Sequence, residues 1–427
     1  MRQSPDKTKP PRRRARTRPR RTGFPSLPDM IPLRLIPCLL TAGSLSAAGS
    51  LQSWWAEHGD FTLRNLAFVQ LQEPAHIPLF DSLAEPENPL DLPELSWVNE
   101  FRPEASLSFE HLFLSVDPRF TARRDEYGSG ALDGRHRDDS ELFLQEWTVQ
   151  LLPTPELSLA YARKDLQWGP AFLLSPSNPF DSRNGRDDPT DEVPAGDFLK
   201  AVWTPNFNWS FTAIANLDDG RKDYRLRSEL RQDFRDIYAL KADYLFDRGN
   251  AALVASTMDD AEDEDRRVGA YLSYNLTDAG IAYAEGSLST EDEELLLGGS
   301  YSVQGGPTVA LEYFHNSSGI DDPIPEDPAD LVAFEDFVLD LPNRESFFRE
   351  NYLLLQLYQN DVVGGLDYIL RYTHNLDDSS RSLLGHLELD LNDYASLFTT
   401  ATLNSSGGGE LDSLREHWIK LGIELVF

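Results

Sequence analysis

The chain has 427 residues, with 71 Asp and Glu against 39 Lys and Arg, a formal net charge of −32 and a mean hydropathy of −0.43. Acidity on this scale repels phosphate and sets nucleic acid aside as a partner. Cys38 is the only cysteine, so a disulfide framework is excluded, and with it any thiolate metal site or nucleophile once a leader carrying Cys38 is removed.

Residues 1–29 are rich in Arg and Pro and cannot build a core. They read as a basic disordered extension, or as a start placed upstream of Met30. Residues 30–48 carry Arg34, an apolar stretch and then small residues at Ser46 and Ala48, the pattern of a secretory signal peptide. Its loss with the extension would remove 11 Lys and Arg and 2 Asp and Glu, taking the formal charge from −32 to −41. A short periplasmic segment is expected over 49–59. No run in the chain approaches the about 18 to 20 uncharged apolar residues of a spanning helix.

From residue 60 onward the dominant period is two. Strands are expected near 60–72, 95–107, 111–123, 141–152, 156–166, 198–204, 208–217, 236–246, 250–258, 267–276, 280–289, 295–304, 307–316, 351–359, 362–375, 382–391, 394–404 and 416–427. In "RRVGAYLSYNL", Val268, Ala270, Leu272, Tyr274 and Leu276 share one face while Arg267, Gly269, Tyr271, Ser273 and Asn275 share the other. Tight connections such as 153–155, 205–207, 247–250, 277–280 and 304–307 alternate with connections that are mostly longer and more polar, including 124–140, 167–197, 218–235 and 317–350. Alternation of this kind predicts an all-β fold: a closed up-and-down antiparallel transmembrane β-barrel of about eighteen strands over 60–427, with the longer loops outside. The count falls to sixteen if 60–107 forms a plug. A propeller would show a repeat of about 40 to 50 residues, and none is visible; a soluble sandwich gives no reason for loop lengths to alternate.

The chain ends "EHWIKLGIELVF", with Ile419, Leu421, Ile423, Leu425 and Phe427 on one face and Lys420 and Glu424 on the other. A closed barrel has no free edge, so this strand is expected to pair with the first. Its terminal Phe427 resembles the signal that outer-membrane proteins present to the barrel-assembly machinery.

"LSLAYARKDLQWGPAFLLSPSNPF" (157–180) and "NEFRPEASLSFEHLFLSVDPRF" (99–120) resemble stretches of Gram-negative outer-membrane porin-like barrels, loosely those of the alginate-export kind. The resemblance implies a barrel in the outer membrane, among lipid and lipopolysaccharide, and names no transported molecule.

Pro170, Pro176 and Pro179 stiffen the loop that follows Arg163 and Lys164. Trp168, Gly169, Pro170, Pro176, Asn178, Pro179 and Phe180 are therefore candidates for a constriction folded into the pore, with a structural external loop as the equal alternative. Alternation places Lys200, Lys241, Asp243, Arg267, Glu312, Asp367, Arg371, Glu388, Asp390, Lys420 and Glu424 on inward faces, beside Arg163 and Lys164. Charged rings of this sort select ions, although both signs occur and cross-strand ion pairing is the simpler role for any one of them. Acidic loops at 259–267, 291–294 and 321–337 lack the Asp-x-Asp-x-Asp-Gly spacing of a calcium loop. No metal site or cofactor is expected.

No Gly-x-Ser-x-Gly elbow or His-Glu-x-x-His pattern occurs, which leaves an outer-membrane lipid hydrolase as the lesser reading. A non-conducting barrel that exports or anchors surface polysaccharide is a third. The function expected is a porin-like channel, not an enzyme, for small hydrophilic solutes or ions, with cations preferred.

Overall fold

The computed structural model describes residues 53–74, 88, 91–180, 189–193, 195–218, 220, 236–259, 264–290, 292–319, 347, 349–405 and 415–427. The leader and signal readings on 1–48, and most of 74–93, 218–235 and 317–350, lie outside them. In the unit Trp54–Phe427, a helical turn at 54–58 leads into β1 (Gly59–Pro74). There follow β2 (Leu95–Ser108), β3 (Leu112–Glu126), β4 (His136–Thr154), β5 (Leu157–Lys164), β6 (Gly196–Asn206), β7 (Trp209–Asp218), β8 (Ile237–Phe246) and β9 (Gly249–Asp259). The second half holds β10 (Glu264–Asn275), β11 (Gly280–Leu288), β12 (Glu293–Ser302), β13 (Thr308–Asn316), β14 (Asn351–Gln359), β15 (Leu366–Asn375), β16 (Arg381–Asn392), β17 (Ala395–Asn404) and β18 (Arg415–Val426).

Each strand pairs antiparallel with its sequence neighbours, and β18 pairs with β1, so the 18 strands close into a barrel. Val69 stands opposite Leu421 and Ala67 opposite Ile423. Phe427 completes the seam: its N–H donates to Leu63 O (2.9 Å) and its carbonyl accepts from Leu63 N (3.1 Å). The pair expected at 60–72 and 95–107 is β1 and β2, strands of the wall, which removes the sixteen-strand alternative with a plug.

Alternation sorts the side chains. The outward phase is apolar and exposed, as at Leu142 (74% exposed), Leu240 (65%) and Leu199 (53%). At the tight-turn end, Trp203, Phe211, Trp209 and Tyr244 form a run of ring contacts with centroids 4.7 to 5.7 Å apart, the amphipathic belt expected where hydrocarbon meets water. No described helix is long and apolar enough to cross a membrane, which is immaterial to a barrel, whose strands satisfy one another's backbone groups.

Most strand limits fall within a few residues of the sequence expectation, and the larger differences lie at two connections. The hairpin β3–β4 continues past the expected strand ends to Glu126 and from His136, because the polar residues 123–126 and 136–140 still pair across it. β15 begins at Leu366 rather than 362, since Asp361, Gly364 and Gly365 take positive φ (51°, 62° and 82°) and turn the chain.

Candidate functional site in the barrel interior

The described residues of the connection between β5 and β6, 165–180 and 189–193, enter the barrel. Among them, Leu173, Leu174, Ser175, Ser177, Asn178 and Phe180 are buried, Ser175 and Asn178 wholly so. A loop over the outside would expose its backbone; this one packs on the inward faces of strands far from it in sequence. Ala171, Leu173 and Leu174 join a cluster with Tyr283 of β11, Leu296 of β12, Phe314 of β13, and Tyr352 and Leu354 of β14. Phe180 packs on Phe198, Ile214 and Ala239, edge-on to Phe198 (5.0 Å) and to Trp168 (5.7 Å). Asn178 ties the loop to itself, donating from Nδ2 to Leu166 O (2.6 Å) and accepting from Phe180 N (3.1 Å). Pro170, Pro176 and Pro179 punctuate this buried stretch, and Gly169 has φ +84°, with the Glu285 carboxylate where a side chain would stand.

The loop's far end meets the opposite wall. Lys420 of β18 donates to Thr190 Oγ1 (3.1 Å) and Asp191 Oδ1 (2.9 Å). Arg119 of β3 grips Glu192 at 2.6 to 3.0 Å through Nη2 and Nε, and Arg102 of β2 donates to Thr190 O (3.3 Å). Gln145 donates to Val193 O (2.8 Å). A bulge explains that last contact: Asp117 faces Glu146 while Pro118 faces Leu144, so one extra residue in β4 turns Gln145 and Glu146 to the same side. Burial opposes ionisation of Glu192, but its hydrogen bond from Arg119 and the nearby Arg102 and Arg64 outweigh that and hold the carboxyl below its ordinary range.

Beside this end of the loop lies a polar cavity of about 600 Å3, whose lining includes Arg64, Arg102 and Arg119 with Glu104, Asp117, Glu146, Asp165, Glu192, Glu388 and Glu424. Seven carboxylates against three guanidinium groups give these residues a formal charge of −4. The arginines are engaged: Arg64 with Glu104 and, at 3.7 Å, Glu424; Arg102 with Glu100 (2.6 Å); Arg119 with Glu192.

The residues singled out from sequence fall into three groups. Glu388 and Glu424 line the cavity, Glu388 accepting from Ser396 Oγ (2.8 Å); Lys164, beside it on the inward phase, pairs with the lining residue Glu146. A second group is held in wall networks. Lys241 bonds Asp243 (2.9 Å) under the Trp168 and Tyr271 rings, and Arg267 is closed around by Asp292, Glu294 and Ser287 at 2.6 to 3.2 Å. Arg371 donates to Gln356 (2.9 Å), Lys200 is half-buried on the inward phase of β6, and Lys420 and Glu312 hold the loop. The third group lies at the ends. Asp367 accepts from Asp361 N (2.7 Å) in the β14–β15 turn, and Asp390 donates its N–H to Gly365 O (2.9 Å) at the same end. Arg163, one residue from Lys164 and so on the opposite phase, forks onto Asp197 (2.6 and 3.0 Å).

Arg64, Arg102, Arg119, Glu192 and Glu285 are the important side chains not singled out beforehand. Alternation offered a signal for Arg119, since Val116 and Phe120 mark the outward phase. Glu192, on a loop, carried none.

No protein-family model and no curated protein sequence matches the chain. Solved structures do. OpdK of Pseudomonas aeruginosa, solved with vanillate, superposes with a TM-score of 0.53 at 13% identity over 87% of this chain and 98% of its own. OccAB3 of Acinetobacter baumannii and OccK5 of P. aeruginosa each give 0.52 at 12%, with the same two coverages. The fold is that of Gram-negative outer-membrane porins. At such identities the likeness is one of architecture.

Proposed function

We propose that the chain is an outer-membrane channel for passive passage of small hydrophilic solutes or ions, with cations preferred, exported by the signal at 30–48. The observation that carries this reading is a loop-narrowed interior whose cavity bears seven carboxylates and three arginines. Fixed charge of one sign at a constriction raises the local concentration of counter-ions and lowers that of co-ions. Solved porins of similar fold, one of them holding the small molecule vanillate, support passage of small solutes. The mature chain's acidity supports the same sign at the mouths.

The test is a planar bilayer carrying the purified full-length barrel in a salt gradient. A reversal potential of cation sign that shrinks as salt rises is expected; one of anion sign refutes the cation preference, and silence in the bilayer refutes the channel. The polysaccharide-anchoring alternative would bind polymer without conducting. For the hydrolase alternative, the hydroxyl facing His386 Nδ1 (2.9 Å) is that of Thr400, wholly buried and so closed to a lipid ester.

A further inference from the structure

Glu312 stands on the inward phase of β13, where alternation alone would make it part of a solute-facing ring. Its surroundings assign it elsewhere. It is 1% exposed, and its two oxygens are divided between successive backbone amides of the loop: Phe172 N donates to Oε1 (2.6 Å) and Leu173 N to Oε2 (2.8 Å). Tyr283 OH from β11 donates to Oε1 as well (2.6 Å). Two consecutive N–H groups turned to one side form an anion-binding concavity, and here the anion filling it belongs to the wall. Phe172 and Leu173 also seat their side chains on the apolar patch around it.

Glu285, on β11, makes the companion contact. Its Oε1 accepts from Ser177 N (3.0 Å), Ser177 Oγ (2.6 Å) and Ser175 Oγ, while Oε2 lies against Gly169 without a hydrogen-bond partner.

We infer that Glu312 is the positioning residue of the constriction: by chelating two adjacent loop amides it fixes how far the loop stands off the β11–β14 wall, and thereby the bore. The consequence for the bore rests on the channel reading; the positioning itself does not. The chemistry is specific to a carboxylate. A glutamine offers one acceptor and one donor, so Glu312→Gln leaves one of the two amides facing an N–H. At Glu285 the three loop donors share a single oxygen, so Glu285→Gln retains all three with its carbonyl in the Oε1 place.

The experiment compares wild type, Glu312→Gln and Glu285→Gln, each as the full barrel in detergent and in planar bilayers, with fast migration on unheated gels as the check that the barrel is closed. Amide exchange at 172–173 is expected to rise roughly ten-fold in Glu312→Gln, as for one lost charged hydrogen bond, and to change less in Glu285→Gln. Single-channel conductance should rise and become noisier in the first variant only. Unchanged exchange in a closed Glu312→Gln barrel overturns the inference, as does faster exchange with unaltered conductance in a conducting wild type. If wild type does not conduct, the channel reading fails separately and exchange alone decides the positioning role. Should Glu312→Gln not close, Glu312→Asp, which keeps both acceptors on a shorter arm, is expected to close and to shift conductance by a smaller amount; wild-type exchange and conductance in that variant overturn the inference.

Discussion

The two sides of the inner wall are built on opposite principles. From β11 to β14 the inward phase carries an apolar cluster, Tyr283, Leu296, Phe314, Tyr352 and Leu354, packed with the loop, and the buried Glu285 and Glu312 beside it spend their charge on the loop's own donors. From β16 through β18 to β4 the inward phase carries His386, Glu388, Glu424, Arg64, Arg102, Glu104 and Arg119, and a polar cavity remains open. Outward faces on both sides are equally greasy, since both meet hydrocarbon. The difference teaches that a barrel interior is not uniformly wet: the loop lies where removing apolar surface from water stabilises it, at roughly 25 cal/mol per Å2, and leaves space where charges must keep water or one another.

The strongest way to break this comparison is Leu354→Ala against Leu355→Ala. Leu354 is wholly buried under the loop and its neighbour lies on the outward phase. A cavity beneath the loop should cost about 2 to 5 kcal/mol, measured by denaturant unfolding from vesicles. Leu355→Ala should cost clearly less, because lipid closes over the lost methyl groups. Equal costs would mean the inner face is not a packed core.

Next in size is the loop's charged end. Glu192 is held below its ordinary carboxyl range, so its contribution is fully present above about pH 4.5 and is lost as pH falls through the lowered value. Conductance should step at acidic pH, below the ordinary carboxyl range, as the Arg119–Glu192 contact opens. Glu192→Gln should remove that step and cost about 1.5 to 3 kcal/mol, the range for hydrogen bonds to charged groups. A step that survives in Glu192→Gln would place the acid response elsewhere.

Smallest is the cavity's charge. Glu388→Gln with Glu424→Gln halves the formal −4 of the lining residues. The cation-to-anion permeability ratio should fall roughly two-fold, about 0.4 kcal/mol, since both groups are water-screened. A ratio unmoved at low salt would show that permeating ions do not sense these groups.

Much of this architecture was legible beforehand because a membrane barrel repeats one rule: hydrocarbon outside demands an apolar residue at every second position. Runs such as Ile419, Leu421, Ile423 and Leu425 state the strand, its phase and its need for a partner. The interior is subject to no such rule. Leu295, Leu296 and Leu297 in a row, and Tyr352 through Leu355, already marked strands apolar on both faces, which is the one sequence trace of the loop's resting place. The bulge at Gln145 and Glu146 was invisible, because an extra residue is recognised only against its partner strand.

The sequence by itself therefore determined the alternation of strands and loop lengths and the need for the last strand to close a barrel, since each follows from local periodicity and from the absence of water to satisfy an open edge. Only the tertiary structure decided that 60–107 belongs to the wall and the count is eighteen, that residues 165–180 and 189–193 turn inward, that Glu312 binds the backbone there, and that Arg119 meets Glu192 some 73 positions away. Those contacts join groups whose spacing along the chain carries no information, and they form because a closed cylinder brings distant strands within reach of one loop.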